Sequence, residues 1–511
     1  MFRTLASNLL AFKSTQYGFQ KPNENGDLFS QATYICSMSR KSINRIVQGL
    51  KIIDINAKGM GVAKSEEGAV YFIKNVVPGD VVDVRVYKKR RGYFEAEPTE
   101  WIQTSEDRVQ AACEHFGICG GCKWQHLSYP AQLRFKEKAV LHNLEHIGKI
   151  KAREIIPILG VENPYFYRNK MEFSFSNKRW LTADEIAQES EIERNGLGFH
   201  KPQMWDKIVD VNLCHLQADP SNAIRNAIKN FALEHKMEFY DTRAQEGFLR
   251  TLMIRNTLKG EVMVLVQFFE DRKKEIDLLL SFIKEHFPQV SSLLYCINSK
   301  GNDSLYDQEI HCFSGYPYIT EHLDDLQFRI TAKSFYQTNP KQAGLLYGIA
   351  KDFAQLKPQD TVYDLYTGTG TIALSLARDC KKIIGVESVA EAIGAAKENA
   401  LLNGISNAFF EVGDMKECFN DAFIQRHGKA AVVITDPPRD GMHKDVVAQL
   451  LKLAPQKIVY ISCNSATQAR DIALMKERYE VIKSQAVDMF PQTHHVENVV
   501  LLQSKTADEY A

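Results

Sequence analysis

The chain has 511 residues, 44% of them hydrophobic, with 63 basic and 63 acidic residues and a formal net charge of zero. That length predicts about three domains with ample apolar content for several cores, and no apolar run approaches the roughly 20 residues of a membrane-spanning helix. Net neutrality argues neither for nor against a nucleic-acid partner, because a local basic stripe is what matters. The first 37 residues lack the charged, apolar and small-residue order of a cleaved secretory signal. Met38-Ser-Arg-Lys41 looks like a better start for a cytoplasmic protein, so 1–43 reads as a flexible leader with a start at Met1 or Met38.

Residues 44–104 alternate short β-like runs (Gly49–Ile55, Ala69–Ile73, Val81–Tyr87, Tyr93–Trp101) with turns at Gly59, Gly61 and Pro78-Gly79. That rhythm predicts a small antiparallel barrel of OB-like proportions. Its basic run Lys88–Arg91 leads into Gly92-Tyr93-Phe94, a combination suited to phosphate contact and base stacking but equally to a solvated hairpin tip. The stretch resembles a TRAM domain, an RNA-binding barrel attached to several RNA-modifying enzymes.

Residues 105–345 read as a central α+β domain with a polar helical insertion near Thr182–Asn195. It opens on Cys113-x5-Cys119-Gly-Gly-Cys122. Closely spaced thiolates on a glycine-rich loop can wrap one metal centre, and Cys214 is the nearest downstream candidate for a fourth ligand. Three cysteines plus a distant one favour an iron–sulfur cluster; a structural zinc site, which usually pairs two Cys-x2-Cys knuckles, is the alternative. With no secretory signal, a disulfide framework is the poorer reading of the ten cysteines.

Residues 346–511 alternate strands (Thr361–Tyr366, Lys382–Val386, Ala430–Thr435, Lys457–Ser462) with amphipathic helices (Ile372–Ala377, Ala390–Leu402, Lys444–Leu453), the pattern of an α/β, doubly wound parallel sheet. The loop Asp364-Leu-Tyr-Thr-Gly-Thr-Gly370 lies between a strand and a helix, where its glycines allow close approach of a cofactor. Glu387 ends the next strand, where a carboxylate can accept ribose hydroxyls. Gly368-x-Gly370 also satisfies a loose dinucleotide fingerprint, so a nicotinamide-dependent iron–sulfur oxidoreductase stays open at this loop. Asp414 and Asp436-Pro-Pro438 follow in the order of an adenosylmethionine-dependent methyltransferase. Cys463 falls at the carboxyl end of the strand Lys457–Ser462, where open α/β sheets place their chemistry, and a thiol there points to covalent group transfer.

Taken together, Cys-x5-Cys-Gly-Gly-Cys, Ser334-Phe-Tyr-Gln337-Thr-Asn339, the 364–370 loop, Asp436-Pro-Pro-Arg-x-Gly441, Ser462-Cys463-Asn464 and His495-x-Glu497 resemble the RNA uracil-5 methyltransferase family, specifically its iron–sulfur 23S ribosomal RNA branch. The resemblance covers about 44–505. It implies that Gln337, Tyr366, Glu387 and Asp436 contact S-adenosylmethionine, that Cys463 is the nucleophile and Glu497 the base, and that Cys113, Cys119, Cys122 and Cys214 hold a [4Fe–4S] cluster. The implied substrate is 23S ribosomal RNA, with no membrane and no obligate protein partner. A transfer-RNA enzyme of the same chemistry is the runner-up, disfavoured because that relative typically lacks both barrel and cysteine cluster. Attack of the Cys463 thiolate on uracil C6 would create the enolate whose C5 accepts the methyl group.

Overall fold

The computed structural model describes residues 45–187 and 192–505; the leader 1–43 lies outside the described residues, as does part of the polar insertion. Strands β1 (Arg45–Ile55), β2 (Gly61–Lys64), β3 (Val70–Ile73), β4 (Val81–Arg90) and β5 (Tyr93–Gln103) close a barrel in the order β1-β2-β3-β5-β4. In β4 every second side chain, Val82, Val84 and Val86, is buried, which is the period of a strand with one wet face. The barrel is not wholly antiparallel as its sequence suggested. β5 pairs antiparallel with β4 and parallel with β3, because the strand returning from the β4–β5 hairpin is also the one that closes the wall. The Gly61 region, expected as a turn, is strand β2. Its glycine is required by contact, since a Cβ there would lie 2.4 Å from Val76 Cγ2. The basic run ends β4 and turns at Arg91-Gly92, with Arg90 Nε on Glu95 Oε1 at 2.8 Å and Lys89 Nζ 5.7 Å from the Phe94 ring centre.

Next come β6 (Glu154–Leu159) and a seven-stranded sheet built from β7 (Lys170–Ser176), β8 (Gly196–Lys201), β9 (Met204–Asp210), β10 (Leu249–Asn256), β11 (Val262–Phe268), β12 (Val290–Ile297) and β13 (His311–Gly315), ordered β13-β12-β11-β10-β7-β8-β9. Among its described residues the insertion forms the short helix Ala183–Ile186, started by a capping box between Thr182 and Glu185. All of β11 is buried, and its period-2 alternation divides it between two cores. Val262, Val264 and Val266 pack with the helices Ser221–Glu234 and Lys273–His286. Met263 and Leu265 enter the core of the C-terminal unit.

That unit holds the hairpin β14 (Tyr318–Leu323) and β15 (Leu326–Thr331), and then β16 (Thr361–Leu365), β17 (Lys382–Glu387), β18 (Ala408–Val412), β19 (Val432–Thr435), β20 (Lys457–Ser462), β21 (Tyr479–Val487) and β22 (Glu497–Ser504). The eight-stranded sheet runs β18-β17-β16-β19-β20-β22-β21-β6. β16 to β20 are parallel, whereas β22 inserts antiparallel between β20 and β21, so the sheet is mixed. Its last strand comes from far upstream: β6 pairs parallel with β21, and the helix Tyr129–His146 sends Val140 and Leu144 into the core formed with Ala469 and Ile472 of the helix Ser465–Met475. The segment Tyr129–Leu159, read from the sequence as central, thus completes the C-terminal sheet. Pro157 is tolerated in β6 because the strand lies at the edge. Among the described residues no helix is long and apolar enough to cross a membrane.

Candidate functional site

The carboxyl ends of β16, β17, β19 and β20 face the same way, and the loops that leave them collect the chemistry. After β16 the backbone passes through left-handed conformations at Tyr366 (φ 66°), Gly368 (φ 55°) and Gly370 (φ 79°). The glycines take this freely, but at Tyr366 it costs on the order of 1–2 kcal/mol. A Cβ on Gly370 would lie 3.0 Å from Ala396 and the Phe410 ring, whereas one on Gly368 would meet nothing within 4 Å. The loop is therefore packed on its helix side and open at Gly368.

Asp364, wholly buried at the end of β16, accepts from Thr367 Oγ1 through Oδ2, while its buried Oδ1 has no hydrogen-bond partner. Burial pushes this carboxyl up to about 7. A buried orphan acceptor beside an open glycine is what a donor-bearing cofactor would complete. Glu387 is fixed across the loop: Oε1 accepts from Ser388 N (2.7 Å), Ser388 Oγ (2.9 Å) and Val389 N (3.0 Å), and Oε2 from Gly368 N (3.3 Å). Gln337 stands on a separate segment leading into the helix Pro340–Ala354. Asn169 holds that segment from behind, donating Nδ2 to Gln337 O (3.1 Å) and N to Thr338 O (2.8 Å). Arg255 donates to Thr331 O and Ser334 O at 3.0 and 2.8 Å.

Cys463 follows β20, and because Ser462 pairs with Asn498 in the antiparallel ladder, the next position across from Cys463 is Glu497, the first residue of β22. Burial, then Glu497 and Asp436, push the Cys463 thiol up to about 11, opposed by the Arg439 guanidinium. Burial and Asp436 raise the Glu497 carboxyl well above the ordinary range, again opposed by Arg439. Burial and Asp364 likewise raise Asp436. Three protonatable carboxyls and one thiol thus crowd a poorly solvated strand end, the setting in which proton transfer groups are tuned. Tyr366 lies in the field of Asp471, Asp414 and Glu387, and Glu387 in turn acts on Asp364.

Arg439 had no role in the sequence reading. Asn464 Nδ2 (2.9 Å) and Thr467 Oγ1 (3.0 Å) both donate to its carbonyl, while Asn464 Oδ1 accepts from Ala466 N to start the next helix. Tyr347, reached by Thr371 Oγ1 at 3.4 Å, was also missed; it is set by tertiary packing, for which the sequence carries no local signal. Arg439 had one available clue, its place directly after Asp436-Pro-Pro438.

Cys113, Cys119, Cys122 and Cys214 line one cavity of about 380 Å³, with Arg168, Lys170, Thr338 and Thr493. All four are free thiols, pushed upward by burial, Cys119 to about 11 and Cys122 to about 12. Donors already face the sulfurs: Gly121 N lies 3.4 Å from Cys119 Sγ and Gln125 Nε2 lies 3.2 Å from Cys122 Sγ. Among the described residues no group of three or more His, Cys, Asp or Glu is placed to hold a single metal ion.

The cysteine loop also touches the segment that carries Glu497. Lys123 N and Trp124 N donate to Gln492 O at 2.8 and 3.0 Å. Gln132 and Gln492 exchange side-chain and backbone hydrogen bonds at 3.0 and 2.9 Å. Trp124 Nε1 reaches Gly59 O of the barrel at 3.2 Å.

The family model for tRNA (Uracil-5-)-methyltransferases matches residues 315–505, and the TRAM domain model matches 43–99. An uncharacterized RNA methyltransferase of Bacteroides thetaiotaomicron is 50% identical over 451 residues, covering 88% of this chain and 99% of its own length. Another, from Porphyromonas gingivalis, is 49% identical over 465 residues, covering 89% and 100%. Among solved structures, the Pyrococcus abyssi tRNA (uracil-54, C5)-methyltransferase in complex with S-adenosyl-L-homocysteine matches with a TM-score of 0.70 and 29% identity, covering 89% of this chain and all of that one.

Proposed function

Since the chain belongs to the RNA uracil-5 methyltransferase family and is an adenosylmethionine-dependent enzyme, we propose that it methylates C5 of a uridine in 23S ribosomal RNA, in the cytoplasm, through a covalent bond between Cys463 and C6. The observation that carries this reading is the placement of Cys463 across from Glu497, with Asp436 and Arg439 beside both.

Gln337, Tyr366, Glu387 and Asp436 would hold the cofactor, at the loop where Asp364 keeps an unpaired acceptor. Bound adenosylmethionine supplies an electrophilic methyl group. Cys463, as thiolate, adds to C6 and the electron pair of the C5–C6 bond moves toward O4, which makes C5 nucleophilic. Arg439 favours both the thiolate and the negative charge that develops on the ring. Once C5 carries the methyl group, Glu497 takes the C5 proton, the C5–C6 double bond re-forms and the thiolate leaves. Because burial holds both groups protonated, Glu497 up to about 8 and Cys463 up to about 11, and each must ionise to act, turnover should rise with pH through about 8 and continue rising toward about 11; a pH profile of kcat in wild type and Arg439→Met checks it, with the variant's rise displaced to higher pH.

The cysteine cavity suits a cluster better than one zinc ion, which would need four sulfurs within about 2.3 Å of a single point. Cys113, Cys119, Cys122 and Cys214 surround a cavity instead, with N–H groups directed at two sulfurs, an arrangement suited to [4Fe–4S]. Methyl transfer is redox-neutral, so the cluster's place would be structural, fixing the loop that holds Gln492.

The nicotinamide alternative has no support from these relatives. A transfer RNA remains a second substrate reading, favoured by the Pyrococcus abyssi enzyme. Its match to this chain reaches beyond 105–511 into the barrel, so the barrel does not by itself mark a ribosomal substrate. Labelled adenosylmethionine offered with unmodified 23S ribosomal RNA and, separately, with transfer RNA separates the readings. We expect 5-methyluridine in ribosomal RNA from wild type and none from Cys463→Ala. Labelling of transfer RNA alone would move the substrate to the second reading, and labelling of neither would end the proposal.

A further inference from the structure

On the outer side of the cysteine loop lies an open groove of about 600 Å³, lined by Lys123, His200, Lys201, Pro202, Met204 and Trp205. It is formed where the β8–β9 hairpin packs against the loop, with Gly120 so close that a Cβ would sit 3.3 Å from His200 O. In β9 the side chains of Asp206, Ile208 and Val209 are buried, while Met204 and Trp205 at its start are 40% and 62% exposed. Among the described residues most of this indole is left uncovered.

Cations frame it. Arg243 Cζ lies 6.0 Å from the Trp205 ring centre, and the guanidinium is fixed there because buried Asp206 accepts from its Nε at 2.6 Å. Lys201 Nζ sits 4.3 Å over the second indole, Trp180. Lys123 is exposed on the facing loop. An apolar protein partner would meet this charge at a desolvation cost, whereas single-stranded nucleic acid offers π-faces for the indole and phosphates for the cations. Lys123, on the groove's edge, is tied to the candidate catalytic site by its backbone N–H, which donates to Gln492 O at 2.8 Å on the segment leading to Glu497.

We infer that this groove binds an unpaired RNA segment flanking the target uridine, with a base stacked on Trp205 and phosphates held by Lys123, Lys201 and Arg243. The inference rests on the RNA substrate, not on which atom is methylated, and the test needs no cofactor. Binding of the full-length protein to a fluorescein-labelled oligouridylate, and to an RNA duplex of equal length, is measured across salt concentrations. Trp205→Ala should weaken oligouridylate binding by about 5- to 150-fold, the usual worth of one base stacked on an aromatic ring, and Trp205→Phe should restore most of it. Lys201→Gln should lower the slope of log affinity against log salt by about 0.7. In the methylation assay KM for RNA should rise in Trp205→Ala by a similar factor. If methylation fails with every RNA yet Trp205→Ala still loses oligouridylate affinity, the groove stands and the catalytic reading falls. Oligouridylate affinity within twofold of wild type in Trp205→Ala, or a loss confined to the duplex, overturns the inference and leaves the indole to a protein contact.

Discussion

Glu497→Gln should trap the enzyme on its RNA as a methylated, covalent adduct that survives denaturing electrophoresis. Glutamine keeps the shape of the buried side chain and can still donate or accept hydrogen bonds, but it cannot take the C5 proton. Addition of Cys463 and methyl transfer precede that step, so the adduct accumulates while turnover falls by about 100- to 10,000-fold, the range for loss of a positioned general base. Glu497→Gln combined with Cys463→Ala should show no adduct, because the bond is to that thiol. Release of methylated RNA by Glu497→Gln at the wild-type rate would assign the proton to another group; Asp436, whose carboxyl is also raised by burial, is the nearest alternative.

The largest stability effect should come from Lys136→Met. Lys136 and Asp488 form a salt bridge, Nζ to Oδ1 at 2.6 Å, in which neither side chain has any exposure. Lys136 Nζ also donates to Phe490 O at 3.0 Å, and Tyr129 Oη donates to Asp488 Oδ2 at 3.0 Å. Removing the cation leaves an uncompensated buried carboxylate, which typically costs about 3–5 kcal/mol. Pairing Lys136→Met with Asp488→Asn should recover part of that loss, since the stranded charge is then gone. Urea unfolding measures both variants. Activity should fall in the single variant before global unfolding, because Asp488 begins the segment Asp488–Val496 that delivers Glu497. A midpoint equal to wild type in Lys136→Met would mean that water reaches the pair.

Where local rules and tertiary structure agree, the sequence was sufficient. Ala390–Leu402, Lys444–Leu453 and Lys457–Ser462 have the bounds their periodicity indicates, and Cys463 emerges at the end of a strand as expected. The three cysteines named from spacing and the downstream candidate Cys214 line a single cavity, and the comparisons support the barrel and the methyltransferase sheet. What escaped reading depends on partners distant in sequence. β2 looks like a glycine turn because Gly61 is dictated by Val76. β6 pairs with a strand more than three hundred residues later. Arg439 is held by Asn464 and Thr467 from the next loop. The polar insertion shows the reverse case, a genuine helix start at Thr182 with too little apolar surface to extend beyond Ile186.

The division of β11 between two cores bears on how this molecule can be dissected. Val264 and Met263 are neighbours in sequence yet belong to different hydrophobic interiors, and Met253, Leu294 and Cys296 join Met263 on the far side. A cut between the central sheet and the methyltransferase sheet would lay bare a continuous oily surface on each fragment. Such pieces should aggregate rather than fold alone. Because the two sheets share that interior, adjustments that accommodate RNA should fall to the barrel and to the loops at the strand ends.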